Sequence, residues 1–205
     1  LFVAADLMSR VLSPYDYNPS GSNPLREILA ETVDFAHLAD SPIKLFVTAT
    51  CVRTGRGRVF RNAELNPEVL LASACLPTMF QAVEIDGDFY WDGGYSGNPA
   101  LHPLLYQTET SDILLVQINP TEHHALPDTA PEIIERMNEV TFNASLLAEL
   151  RAIEFVRRLL AEGKLDARRY KNVRMHRIDG GSVLAGMGFA SKARADLGFL
   201  RQLFT

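Results

Sequence analysis

Residues 82–99 read A-V-E-I-D-G-D-F-Y-W-D-G-G-Y-S-G-N-P, and the two Asp-Gly pairs in this stretch divide its work. Asp86-Gly87 separates two short runs rich in β-branched and aromatic residues. Asp-Gly supplies the positive φ angles of a two-residue hairpin turn, so a strand ending at Ile85 and a returning strand starting at Asp88 are expected. The returning strand ends on the second pair, Asp92-Gly93. A strand end followed by a glycine-rich loop is where α/β proteins place their sites.

Upstream, residues 43–50 (I-K-L-F-V-T-A-T) form a β-branched, nearly all-apolar run, the pattern of a strand covered on both faces. T-G-R-G-R then turns the chain into V-F. Asn66-Pro67 opens a short helix through Leu71 and Ala74 that stops before Pro77, with proline at the first helical position where its missing N–H costs nothing. Asn23-Pro24 repeats that signal ahead of L-R-E-I-L. Downstream, Asn98-Pro99 predicts a further helix over A-L-H-P-L-L-Y, and residues 113–118 (I-L-L-V-Q-I) a second buried strand. Thr129 and Glu132 make a capping box. It opens a long helix with Ile133, Met137, Val140, Leu147, Leu150 and Ile153 at helical spacing. V-R-M-H-R-I (173–178) predicts an edge strand, and a last amphipathic helix is expected from about Ser191 to Phe204. Strands alternating with helices imply an α/β architecture with a largely parallel sheet.

The chain has 205 residues, 47% of them hydrophobic and 22% charged, with a net charge of −5. One compact domain is the expectation at this length. The acidic balance argues against a general nucleic-acid binder. Cys51 and Cys75 sit in apolar contexts and read as two buried free thiols rather than a disulfide framework. No apolar run reaches the length of a membrane span. The sequence opens L-F-V-A-A-D, inside an apolar segment, which reads as the later part of a longer polypeptide.

Nucleophiles can be searched exhaustively. The elbow G-x-S-x-G needs glycines on both sides of its serine, because the strand-to-helix turn leaves no room for side chains. Among 13 glycines only Gly93 and Gly97 lie four apart, and Tyr95 stands midway between them. Ser96 is one place out of register and reads as a loop serine bonding its own backbone. Ser182 fails the same test. Of the five histidines, His102 lies closest to Asp92 but belongs to the helix after Pro99, where it packs or caps. Glu122-His123-His124 lacks a third ligand at metal spacing. Arg53, Arg56 and Arg58 form a basic turn: a solvated face, with lipid phosphate or a membrane surface as the minor reading.

Three stretches in order, L-F-V-T-A-T with its T-G-R-G-R-V-F turn, A-S-A-C-L-P-T-M-F (72–80) and Y-W-D-G-G-Y-S-G-N-P-A-L (90–101), resemble the patatin-like phospholipase family. The best-matched block is 43–120. The resemblance implies a three-layer α/β/α fold with a mostly parallel central sheet, incomplete at the N-terminus. Residues 1–205 are then the C-terminal portion of a single hydrolase domain, with 129–205 mainly a helical extension. It implies a lipid acyl hydrolase that uses a Ser–Asp dyad and no metal or cofactor. The dyad aspartate maps onto Asp92; the serine and the oxyanion glycines map onto nothing in this chain.

The expected partners are a lipid or acyl-ester substrate, the N-terminal segment of the same protein and a transient membrane surface, with no nucleic acid. The expected location is cytoplasmic, peripheral to the membrane. A non-catalytic patatin-like interaction or regulatory module is the rival reading. A dyad base must accept the serine proton within hydrogen-bond reach. A free aspartate, with a pKa of about 3.9, is a poor base for this, so burial beside Phe89, Tyr90 and Trp91 is expected to raise Asp92.

Overall fold

The computed structural model describes residues 12–118 and 126–179, together with 197, 198 and 201. The opening apolar stretch, His123, His124, Ser182 and nearly all of the expected C-terminal helix lie outside these residues. The chain divides into two compact units, Leu1–Thr108 and Glu109–Thr205.

In the first unit the helices α1 (Pro14–Tyr17), α2 (Leu25–Thr32) and α3 (Phe35–Ala39) precede β1 (Phe46–Cys51) and β2 (Gly57–Arg61). Then come a 3-10 turn (Asn62–Glu64), α4 (Pro67–Ser73), β3 (Val83–Ile85), β4 (Asp88–Asp92), a second 3-10 turn (Gly93–Tyr95) and α5 (His102–Gln107). The four strands form one sheet in the order β2-β1-β4-β3. Every pairing in it is antiparallel. Connection length accounts for two of the three pairings: five residues join β1 to β2 and two join β3 to β4, and chains that short return only antiparallel. The Asp86-Gly87 turn is as expected, with φ of 54° and 81° at its two residues.

The core lies on one face of this sheet. Ala49 and Cys51 alternate onto it from β1, with Phe60 from β2 and Tyr90 from β4, and Val69 and Ala72 of α4 close over them. Phe60 and Tyr90 meet edge to face at 5.8 Å, an arrangement worth about 0.5–1.5 kcal/mol beyond the area it buries. The Asn66-Pro67 signal holds, whereas at Asn23-Pro24 the helix starts one residue later and Pro24 itself is the N-cap of α2. Asn66 Oδ1 accepts the Val69 N–H at 2.9 Å, capping α4. Asn23 Oδ1 accepts the Leu25 N–H at 3.1 Å ahead of α2. Asn98 behaves differently: it precedes a cis peptide to Pro99, and α5 begins only at His102, with Leu101 as its N-cap.

In the second unit β5 (Asp112–Gln117) pairs parallel with β6 (Arg174–Asp179). The connection carries α6 (Ala130–Ala161), long enough for a parallel return. The parallel pairing expected for the central sheet is seen here and not around β1. β5 is not buried throughout, because burial alternates along it, with Ile113 and Leu115 inside and Leu114 and Val116 exposed. The capping box of α6 forms as expected. Its buried positions are Asn143, Leu146 and Ile153, whereas Ile133, Met137, Val140 and Leu147 are exposed. The expected stripe turns inward at Ile153 and is half-buried at Leu150, but its N-terminal half is exposed, where a polar pair takes the covered positions. Arg136 and Glu139 sit three residues apart, ion-paired at 2.9 Å and largely covered. No described helix is long and apolar enough to cross a membrane.

Candidate active site

Asp92 closes β4 opposite Ala49 of β1. Strand alternation puts its side chain on the face that carries Ala49 and Tyr90, near the C-terminal end of α4. Its backbone N–H donates to the Cys75 carbonyl at 2.8 Å. The A-S-A-C-L-P stretch and the D-G-G stretch are therefore joined by a backbone hydrogen bond.

The carboxylate is half-buried. Its Oδ1 accepts the Gly94 N–H at 2.7 Å, so Asp92 caps the short 3-10 turn that follows it. Burial pushes its pKa up, and the Gly94 N–H pulls partly back. The surroundings differ in part from expectation: Tyr90 is buried on the same face, but Phe89 is exposed. The titratable groups that feel its charge are instead the buried Cys75 and the more exposed Tyr95. Burial pushes the Cys75 thiol up to about 11, with the negative charge of Asp92 adding to the rise. Tyr95 is raised by burial first and by Asp92 and Cys75 after it. The sequence assigns neither to the site: Cys75 reads there as a buried free thiol, and Tyr95 is only the residue midway between Gly93 and Gly97.

Gly93 is required by its neighbour. A Cβ there would fall on the Thr48 carbonyl oxygen of β1, so only glycine lets the turn lie this close to the strand. Ser96 has the structural part expected of it. Its hydroxyl donates to the Gly93 carbonyl at 3.2 Å and lies 2.9 Å from Thr50 Oγ1. It also fills the space beside Gly57, where a Cβ would meet Ser96 Oγ at 2.8 Å.

The basic turn is largely neutralised within the unit. Arg53 forms a two-pronged pair with Asp88, 2.9 Å on each prong. Arg58 pairs with Asp86 at 2.9 Å and lies over the Phe60 ring at 4.4 Å. Arg56 remains exposed.

Among the described residues the hydrogen-bond partner of the Asp92 carboxylate is a backbone amide and not a histidine. His102 begins α5 with its side chain exposed, and His37 is exposed on α3. In the second unit His176 lies 2.9 Å from Asp112, which Arg174 also clamps. No group of three or more acidic, cysteine or histidine side chains suited to a metal occurs among the described residues. Cys51 and Cys75 are both free and buried.

The site can therefore offer one half-buried carboxylate with one oxygen held and its basicity raised. The family model for patatin-like phospholipases matches residues 8–105, a stretch that includes Asp92 and the hairpin leading to it. A search of curated proteins found no match.

Proposed function

We propose that this chain, whose residues 8–105 match the family model for patatin-like phospholipases, supplies the general base of a lipid acyl hydrolase. The family implies lipid acyl hydrolysis in general; the dyad and the division of its parts are our reading. In it, Asp92 is the base and the nucleophilic serine comes from a segment outside this sequence, which holds no G-x-S-x-G.

The observation that carries the reading is the state of the Asp92 carboxylate. With Oδ1 taken by the Gly94 N–H, Oδ2 is the oxygen left to receive a proton. Partial burial raises its basicity toward that of a useful base. In the first half-reaction the serine hydroxyl gives its proton to Oδ2 as its oxygen bonds to the ester carbonyl carbon. The tetrahedral adduct collapses, the C–O bond to the alcohol breaks, and the alcohol leaves with that proton. In the second half-reaction Asp92 takes a proton from water, which attacks the acyl-serine. The fatty acid and the serine hydroxyl are released. Backbone N–H groups facing the developing oxyanion would contribute about 3–4 kcal/mol each.

The test is Asp92→Asn in the polypeptide that carries both the serine segment and this chain, assayed on a short-chain p-nitrophenyl ester. Removing a general base is expected to lower kcat by about 10²–10⁴-fold. Full retention of activity would sink the assignment. The rival, a non-catalytic interaction module, draws on the same missing elbow. It is favoured if a fluorophosphonate probe labels no serine in any polypeptide associated with this chain.

A further inference from the structure

We infer that Thr50 is a positioning residue for Asp92, and that with Ser96 it forms a buried clamp fixing the turn whose Gly94 N–H holds Oδ1. The inference rests on the reading of Asp92 as the base.

The clamp is built from the strand beside the site. Thr50 is one of two buried polar residues in the described chain, 5% exposed, and it stands on the face of β1 opposite the hydrophobic core. Its Oγ1 lies 2.8 Å from the Asp92 carbonyl oxygen and 2.9 Å from Ser96 Oγ, one proton shared between two acceptors. Ser96 donates onward to the Gly93 carbonyl at 3.2 Å. Two hydroxyls thus tie together the backbone of Asp92, the backbone of Gly93 and the end of the turn at Ser96. Gly93, pressed against the Thr48 carbonyl, closes the other side.

The consequence falls on the carboxylate at one remove. The Asp92 side chain and its backbone carbonyl stand on opposite sides of the same residue, and the turn leaving that residue brings Gly94 back to Oδ1. If the turn loosens, the Gly94 N–H drifts from Oδ1 and both carboxylate oxygens rotate freely. A base with a fixed free oxygen then becomes one that must be oriented anew for each proton transfer, the kind of looseness that supporting side chains exist to prevent. A buried threonine whose hydroxyl bonds backbone across a strand pair also serves packing. The test must therefore read the turn itself.

The experiment uses this chain, labelled for NMR, as the Thr50→Val, Thr50→Ser and Ser96→Ala variants. Valine keeps the shape of threonine and removes the hydroxyl; serine keeps the hydroxyl. Two quantities are measured: the hydrogen-exchange rate of the Gly94 amide and the ¹³C titration midpoint of the Asp92 carboxyl. Thr50→Val is expected to speed Gly94 exchange by about tenfold or more, a loss equivalent to roughly 1.4 kcal/mol. It also moves the Asp92 midpoint up, because the N–H that favours the charged form is weakened. Thr50→Ser restores both.

Unchanged exchange and midpoint in a folded Thr50→Val protein overturn the inference, as does failure of Thr50→Ser to restore them. Should Thr50→Val not fold, Ser96→Ala reads the clamp from its other end. Faster Gly94 exchange supports the clamp, and unchanged exchange overturns it. None of these readouts depends on ester hydrolysis, so they fail independently of the Asp92→Asn assay.

Discussion

The backbone N–H of Asp92 donates to the carbonyl of Cys75 across 2.8 Å. Seventeen positions apart in sequence, the two residues are brought together by the β3–β4 hairpin, which folds out from Cys75 and returns to it at Asp92. The loop after α4 thereby sets the height at which the carboxylate emerges.

Asp92→Asn should stabilise the isolated chain near neutral pH. Burial raises the folded-state pKa of Asp92 above its unfolded value. Its contribution is therefore most favourable below the unfolded pKa of about 3.9, where both states are protonated, and is lost as pH rises through the folded value. Asparagine keeps an oxygen for the Gly94 N–H and never ionises. Thermal melts should show a higher Tm for the variant near neutrality and no difference below about pH 3. A lower Tm across the whole range would contradict the burial of this carboxylate.

Activity should fall on the acid side with a midpoint above the ordinary aspartate value. A base works only when deprotonated, and the raised pKa moves that requirement upward. The pH profile of kcat/KM in the serine-bearing polypeptide measures it; an acid limb at or below about 3.9 contradicts a raised base.

Gly93→Ala should be severely destabilising. The added methyl would fall on the backbone carbonyl oxygen of Thr48 in β1, which cannot give way without disturbing the sheet. Overpacking of this kind costs about 1–3 kcal/mol and occasionally more. Urea unfolding should show a lower midpoint with unchanged slope.

Cys75 should resist alkylation in the folded chain. It is 1% exposed and its pKa is pushed up to about 11, so little thiolate exists at neutral pH and little reagent reaches it. Mass spectrometry of the peptide containing Cys75, after timed iodoacetamide treatment, should show labelling only as the protein unfolds. Rapid native labelling would mean the loop after α4 opens readily.

Asn66→Ala should cost about 1 kcal/mol, the usual loss when a helix N-cap is removed, because the Val69 N–H is left without its 2.9 Å acceptor. Chemical denaturation reads this directly.

Local signals carried much of the architecture. Asp86-Gly87 specified a turn because few other residues tolerate two successive positive φ angles, and Asn66-Pro67 specified a helix start because a side-chain oxygen and a missing N–H both suit that position. The out-of-register spacing of Gly93, Ser96 and Gly97 ruled out an elbow by counting alone, and Ser96 is held as a structural serine. Asp92 at the strand end was legible for the same reason: the hairpin before it has only one register.

Tertiary structure decided the rest. Which stripe of α6 turns inward depends on what packs against it, and Arg136–Glu139 sits largely covered because the two charges pair, which no hydrophobic period reveals. Asn98 carried the same Asn-Pro signal as Asn66 and yet caps no helix, since the chain there runs on to Leu101 first. Thr50 and Cys75 reach Asp92 only through the pairing of β1 with β4 and the return of the hairpin to the loop after α4. Their relation to the carboxylate is a matter of distance in space, which spacing along the chain does not contain.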